Sequence, residues 1–79
     1  RPYLENIYEL DHLQQKLESL TRREMQIMRE IAKGLSNKQV ASVLHISEGT
    51  VKVHVKSLLK KLEAQSRVEA AVMYLEQRN

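Results

Sequence analysis

The 79-residue sequence contains no cysteine, no phenylalanine and no tryptophan, and only two glycines and one proline. Without cysteine there is no disulfide framework and no thiolate zinc site, which fits a reducing, cytoplasmic setting. Three tyrosines are the only aromatics, so the core has to be aliphatic. The scarcity of glycine and proline leaves few turn signals and favours helices, and no alternating pattern of a half-buried strand is present. No apolar run approaches the roughly 20 residues of a membrane span, and there is no signal-peptide segment. A chain of this length makes one small domain with a modest core. It begins at Arg1 rather than Met, so we expect a fragment or a processed product.

What is present is concentrated between Ser47 and Leu62. Laid on a helix, Val51, Val55, Leu58, Leu59 and Leu62 form one apolar stripe. Lys52, Lys56 and Lys60 climb the opposite side, and Val53 stands among them facing solvent. The segment 47–62 holds four lysines and one glutamate, while the rest of the chain is balanced; the net charge of +3 therefore sits on one helix. Phosphates attract lysines, acceptor-rich base edges suit a lysine, and a thymine methyl suits an apolar contact. The helix thus has the chemistry of a major-groove reader. The plain alternative is a solvated lysine face.

Helix starts recur along the chain. Thr21–Glu24, Ser36–Gln39 and Ser66–Glu69 have the spacing of capping boxes, and Ser47–Thr50 is a looser version. Gly34 is placed to end the first of these helices in a left-handed residue. These signals delimit helices near 22–33, 37–44, 48–62 and 67–77. Upstream, Tyr3, Ile7, Leu10, Leu13, Leu17 and Leu20 outline an amphipathic helix broken near Ser19. It is read as a linker helix packing on the domain, or as a connector or part of a dimer contact. Only His45, Ile46 and Ser47 separate the helices 37–44 and 48–62, so the two must cross steeply, as in a helix-turn-helix. Glu24 falls within the apolar stripe of its helix, made by Met25, Ile27, Met28, Ile31, Ala32 and Leu35. It therefore needs a cationic partner, which the sequence does not name.

The last helix carries two apolar stripes. Val68, Ala71, Val72 and Leu75 form one; Ala70, Met73 and Tyr74 form another on the far side. One closes the core. We expect the other, Ala70, Met73 and Tyr74, to be a homodimer surface, unless residues 1–20 cover it. Catalytic constellations are lacking: His12, His45 and His54 have no metal-binding spacing, and there is no glycine-rich phosphate loop. We expect no enzyme activity, no metal and no cofactor. A helical adaptor docking an acidic partner, or a promoter-recognition domain of a sigma factor, would share many of these features.

The runs Leu20-Thr21-Arg22-Arg23-Glu24, Gly34-Leu35-Ser36-Asn37-Lys38-Gln39-Val40-Ala41 and Ile46–Lys56 together resemble the LuxR-type helix-turn-helix domain, in its NarL/FixJ response-regulator branch. The stretch Thr50–Lys61, with Ser66–Val72, is similar to the nitrate/nitrite regulators of two-component systems. The resemblance covers about residues 20–76. It implies an all-α, four-helix LuxR-type domain over 20–79, with the helix-turn-helix at about 36–56 and an N-terminal linker helix over 1–19. It implies a sequence-specific transcriptional regulator, the C-terminal effector of a response regulator whose covalently linked receiver domain masks the DNA-binding surface or dimer helix until phosphorylated. Base-reading positions map onto Lys52, Val53 and Lys56. Phosphate contacts map onto Asn37, Lys38, Ser47, Thr50, Lys60 and Arg67. Dimerisation through the last helix, on double-stranded DNA carrying a repeat of short half-sites, is also implied. Gly49 departs from the family pattern, which usually has a longer polar residue there.

Overall fold

The computed structural model describes the backbone of residues 7–78, with side chains from 11 to 77. The expected contributions of Tyr3, Ile7 and Leu10 to the first helix stripe lie outside the described side chains. Five helices follow one another: α1 (Ile7–Glu18), α2 (Arg22–Ala32), α3 (Asn37–Leu44), α4 (Glu48–Leu62) and α5 (Arg67–Arg78). No strand occurs among the described residues, and none of their helices is long and apolar enough to cross a membrane. The expected helix boundaries agree with these to within one residue.

Local chemistry explains where the helices begin. Thr21 Oγ1 accepts from the Glu24 N–H at 3.1 Å, while the Thr21 N–H donates to Glu24 Oε1 at 2.8 Å. Ser36 and Gln39 repeat this reciprocal box at 3.2 and 2.8 Å. At α5 the box is offset. The Glu69 N–H donates to Ser66 Oγ at 3.1 Å, but the Glu69 carboxylate accepts from the Gln65 N–H instead, at 3.2 Å. Apart from the Gln65 bond, each satisfies an amide that the first helical turn leaves without a partner.

Three helices end in the same way. After α2, the Leu35 N–H donates to Glu30 O and the Gly34 N–H to Ile31 O, with Gly34 at φ +89°. After α3, Ile46 bonds back to Ala41 O, with His45 at φ 58°. After α4, Ala64 bonds back to Leu59 O, with Glu63 at φ 56°. This is the Schellman geometry, in which one left-handed residue reverses the chain. The residue after each reversal (Leu35, Ile46 and Ala64) is apolar and packs against the core. Only the first reversal uses glycine, so only that one carried a signal in the sequence.

Among the described residues the core is aliphatic apart from Met28 and Tyr74. Ile27, Met28, Val40, Val51, Leu58 and Leu62 are its largest fully buried members, each worth roughly 1.5–3 kcal/mol of burial. Helix α2 packs on both α4 and α5, and α3 packs on α4. Helix α1 joins the same core through Leu13 and Leu17. It is tethered by the Lys16–Glu63 ion pair at 2.8 Å, which holds the exposed Glu63 carboxyl below its usual range.

The α5 stripe expected to face outward is the one that faces the core, while the other stripe is covered at Ala71 and open at Val68 and Leu75. Ala70 is fully buried, Tyr74 nearly so, and Met73 is half-buried against the core. Tyr74 shares one small depression with Leu17 of α1 and Met25 of α2. The surface expected for dimerisation thus faces inward, partly beneath α1. The apolar groups that α5 leaves in solvent are Val68 and Leu75, 70% and 46% exposed. Helical periodicity defines two stripes but cannot say which one the neighbouring helices cover.

His45 bears a side chain in a backbone region that costs an L-residue about 1–2 kcal/mol. Replacing it with glycine removes that cost and adds some unfolded-state entropy. His45→Gly is therefore expected to raise stability by about 0.5–1 kcal/mol, read as a higher urea midpoint with an unchanged slope. A lower midpoint would show that the imidazole supports the turn.

Candidate nucleic-acid interface

Helix α4 is rich in β-branched residues, which are weak helix formers. Packing and capping compensate. Val51, Val55, Leu58 and Leu62 are buried along one side. Ser47 Oγ accepts from the Thr50 N–H at 3.1 Å and lies 2.8 Å from Thr50 Oγ1. One of these two hydroxyls donates to the other, which leaves one hydroxyl hydrogen for an outside acceptor. Glu48 in the first turn complements the positive end of the helix.

The opposite side of α4 presents Lys52, Val53, Lys56 and Lys60, all exposed. Val53 is 68% exposed. The expected base-reading triplet is thus on one face, with Lys60 one turn beyond Lys56. The fourth lysine of the segment is not. Lys61 lies off that stripe and bonds Glu24 at 2.8 Å.

Glu24 supplies the rigid link behind this face. Only 3% exposed, it accepts from the Thr21 N–H at 2.8 Å, from Ser57 Oγ at 2.6 Å and from Lys61 Nζ at 2.8 Å. Burial by itself would push its carboxyl up. The hydrogen bonds from Lys61, Ser57 and Thr21, with the charge of Lys61, outweigh burial and bring it to about 2. Ser57 and Lys61 are one turn apart on α4, so a single carboxylate grips that helix at two points while capping α2. The sequence marked Glu24 as needing a cation. The i, i+4 spacing of a hydroxyl and an ammonium at the edge of the apolar stripe was the unused clue to the partners.

Helix α3 presents Lys38 to solvent and holds Asn37 half-buried. Val40 and Ala41 are buried on its inner side. Asn37 and Arg67, both expected as phosphate ligands, are brought together: Arg67 Nη1 donates to Asn37 Oδ1 at 2.5 Å and Nη2 to Leu35 O at 3.0 Å. Arg67 is therefore turned toward the α2–α3 connection. Nothing in the sequence signalled that contact, which joins residues 30 positions apart. A Cβ placed on Gly49 would meet only Ser47 Oγ, at 3.9 Å, so the packing of α4 does not require glycine there. No group of histidine, cysteine or carboxylate side chains suited to a metal occurs among the described residues.

Comparison with known proteins places this arrangement. Residues 18–74 match the family described as bacterial regulatory proteins, luxR family. The nitrate/nitrite response regulator protein NarP of Escherichia coli K12 is 59% identical over 59 residues, covering 75% of this chain and 27% of that protein. A nitrate/nitrite response regulator homologue of Haemophilus influenzae is 55% identical over 71 residues, covering 90% of this chain and 34% of its own. Response regulator protein VraR of Staphylococcus aureus Mu3 is 53% identical over 62 residues, covering 78% and 29%. The chain spans about a third or less of the length of these relatives.

The Glu24 link predicts a pH signature. A carboxylate whose folded pKa lies below its unfolded value contributes stability that is complete above the unfolded pKa and is lost as pH falls through the folded one. The window runs from about 4.5 down to about 2. Glu24→Gln is expected to cost about 1–3 kcal/mol at neutral pH. It should also flatten the fall of the urea midpoint across that window relative to the parent chain. Parallel pH profiles would refute the assignment.

Proposed function

The chain belongs to the luxR family of bacterial regulatory proteins and carries its DNA-binding, transcription-regulating helix-turn-helix domain, and from that premise we propose that it is the C-terminal effector unit of a two-component response regulator that reads the DNA major groove with α4. The observation carrying this reading is the exposed Lys52, Val53, Lys56 and Lys60 face on a helix fixed from behind by its apolar side and by Glu24. Helix α4 enters the groove N-terminus first. Lys52 and Lys56 donate to guanine O6 and N7, and Val53 packs on a thymine methyl. Lys38, Lys60 and the hydroxyl hydrogen left by the Ser47–Thr50 pair meet phosphates, together with the open amides at the starts of α3 and α4.

The relatives named as response regulators support a parent protein with a covalently linked receiver domain, for which residues 1–19 are the connector and 20–79 the DNA-binding unit. That parent acts in the cytoplasm by binding, not by catalysis in this domain. Two copies occupy a repeat of short half-sites on double-stranded DNA. They associate through α5, using the solvent-facing Val68 and Leu75 in place of the inward Ala70 and Tyr74.

The test is duplex binding by anisotropy, with a site selected from a randomised pool and with random DNA as the control. Lys56→Ala is expected to weaken specific binding by about 1–3 kcal/mol and to relax one base preference. Equal losses on both DNAs would make Lys56 a phosphate contact only. Val53→Ala should lose discrimination at one A·T pair. Duplex affinity that does not fall as salt rises would refute the phosphate contacts, since phosphate neutralisation releases counterions. Leu75→Glu should abolish cooperativity on a two-site duplex while leaving single-site affinity intact. Unchanged cooperativity would rule out the exposed α5 stripe as the dimer contact.

A further inference from the structure

The bond from α5 to α3 determines which end of the Asn37 amide faces outward. A guanidinium has only hydrogens to donate and no lone pair to receive one. The Asn37 atom beside Arg67 must therefore be Oδ1, because the flipped amide would set N–H against N–H. Two of the five guanidinium hydrogens are directed inward, to Asn37 Oδ1 and to Leu35 O. The opposite corner of the Asn37 amide, Nδ2 with two hydrogens, has no acceptor among the described residues. It stands at the first residue of α3, beside the exposed Lys38 and the open amides of that helix end.

We propose that Arg67 is a positioning residue. It acts through Asn37, locking that amide so that Nδ2 donates to a DNA phosphate, and is not itself a phosphate ligand. The clasp also fixes the start of α3 to the start of α5, because Arg67 is the first residue of α5. The inference rests on the DNA-binding reading. It makes one asymmetric requirement: an acceptor toward Arg67 and a donor toward DNA on the same side chain. Asparagine meets it, whereas aspartate offers only acceptors when ionised.

The experiment is a double-mutant cycle on the 79-residue chain with selected duplex DNA, at a temperature where circular dichroism shows every variant folded. Asn37→Ala and Arg67→Met are each expected to weaken specific binding about tenfold, the size of one hydrogen bond to a charged group. The double variant should be no weaker than either single one. Asn37→Asp should keep or raise thermal stability through its bond to Arg67 and still lose DNA affinity. In the parent chain, the Asn37 side-chain amide resonances should move when DNA is added. Independent, multiplying losses for Asn37→Ala and Arg67→Met, with the salt slope falling by about one for Arg67→Met, would make Arg67 a phosphate ligand and overturn the proposal. So would an Asn37→Ala variant that binds as tightly as the parent. A parent chain that fails to bind any duplex would instead sink the DNA-binding reading itself.

Discussion

The carboxylate of Glu24 connects the parts of this domain that have to stay in register. It closes the cap of α2 through the Thr21 N–H and reaches α4 at Ser57 and Lys61. A buried charge is tolerated only when it is fully hydrogen-bonded, and here three donors converge on it. Hydrophobic packing lets a helix slide or rotate with modest loss, because it has little directionality. Charge-assisted hydrogen bonds do not permit that, since they weaken steeply with angle and distance. Together with the buried side of α4, Glu24 therefore holds the rotation of that helix about its axis, and with it the direction in which Lys52, Val53 and Lys56 point.

The angle between α3 and α4 has a different origin. His45 in a left-handed conformation reverses the chain, and Ile46 anchors the reversal in the core. Ser47 then caps α4 at once. The connection is too short to adjust, so a backbone dihedral rather than a side-chain contact fixes the crossing of the two helices. The same device closes α2 and α4. A chain with two glycines builds three such reversals by placing histidine and glutamate where glycine is usual, at some cost in stability.

Helix α5 serves both the interior and the surface. Ala70 and Tyr74 complete the core beneath α1 and α2, Arg67 reaches the start of α3, and Val68 and Leu75 remain in solvent. One helix can do this because its apolar residues occupy two sides. Association through the exposed stripe would leave the core undisturbed, whereas association through the buried one would require α1 to move.

The sequence by itself determined the helices and their starts, the helix-turn-helix spacing, the basic face of α4 and the family. These follow from local rules: capping pairs three residues apart, periodicity of apolar groups, and charge carried on one segment. Only the tertiary structure decided what depends on which helices are neighbours. It gave Glu24 its cation, Lys61, paired Arg67 with Asn37, and buried Ala70 and Tyr74 while leaving Val68 and Leu75 in solvent. The partners in the first two pairs are 30 or more positions apart. Periodicity says that a helix has a side, but the packing of other helices says which side is inside.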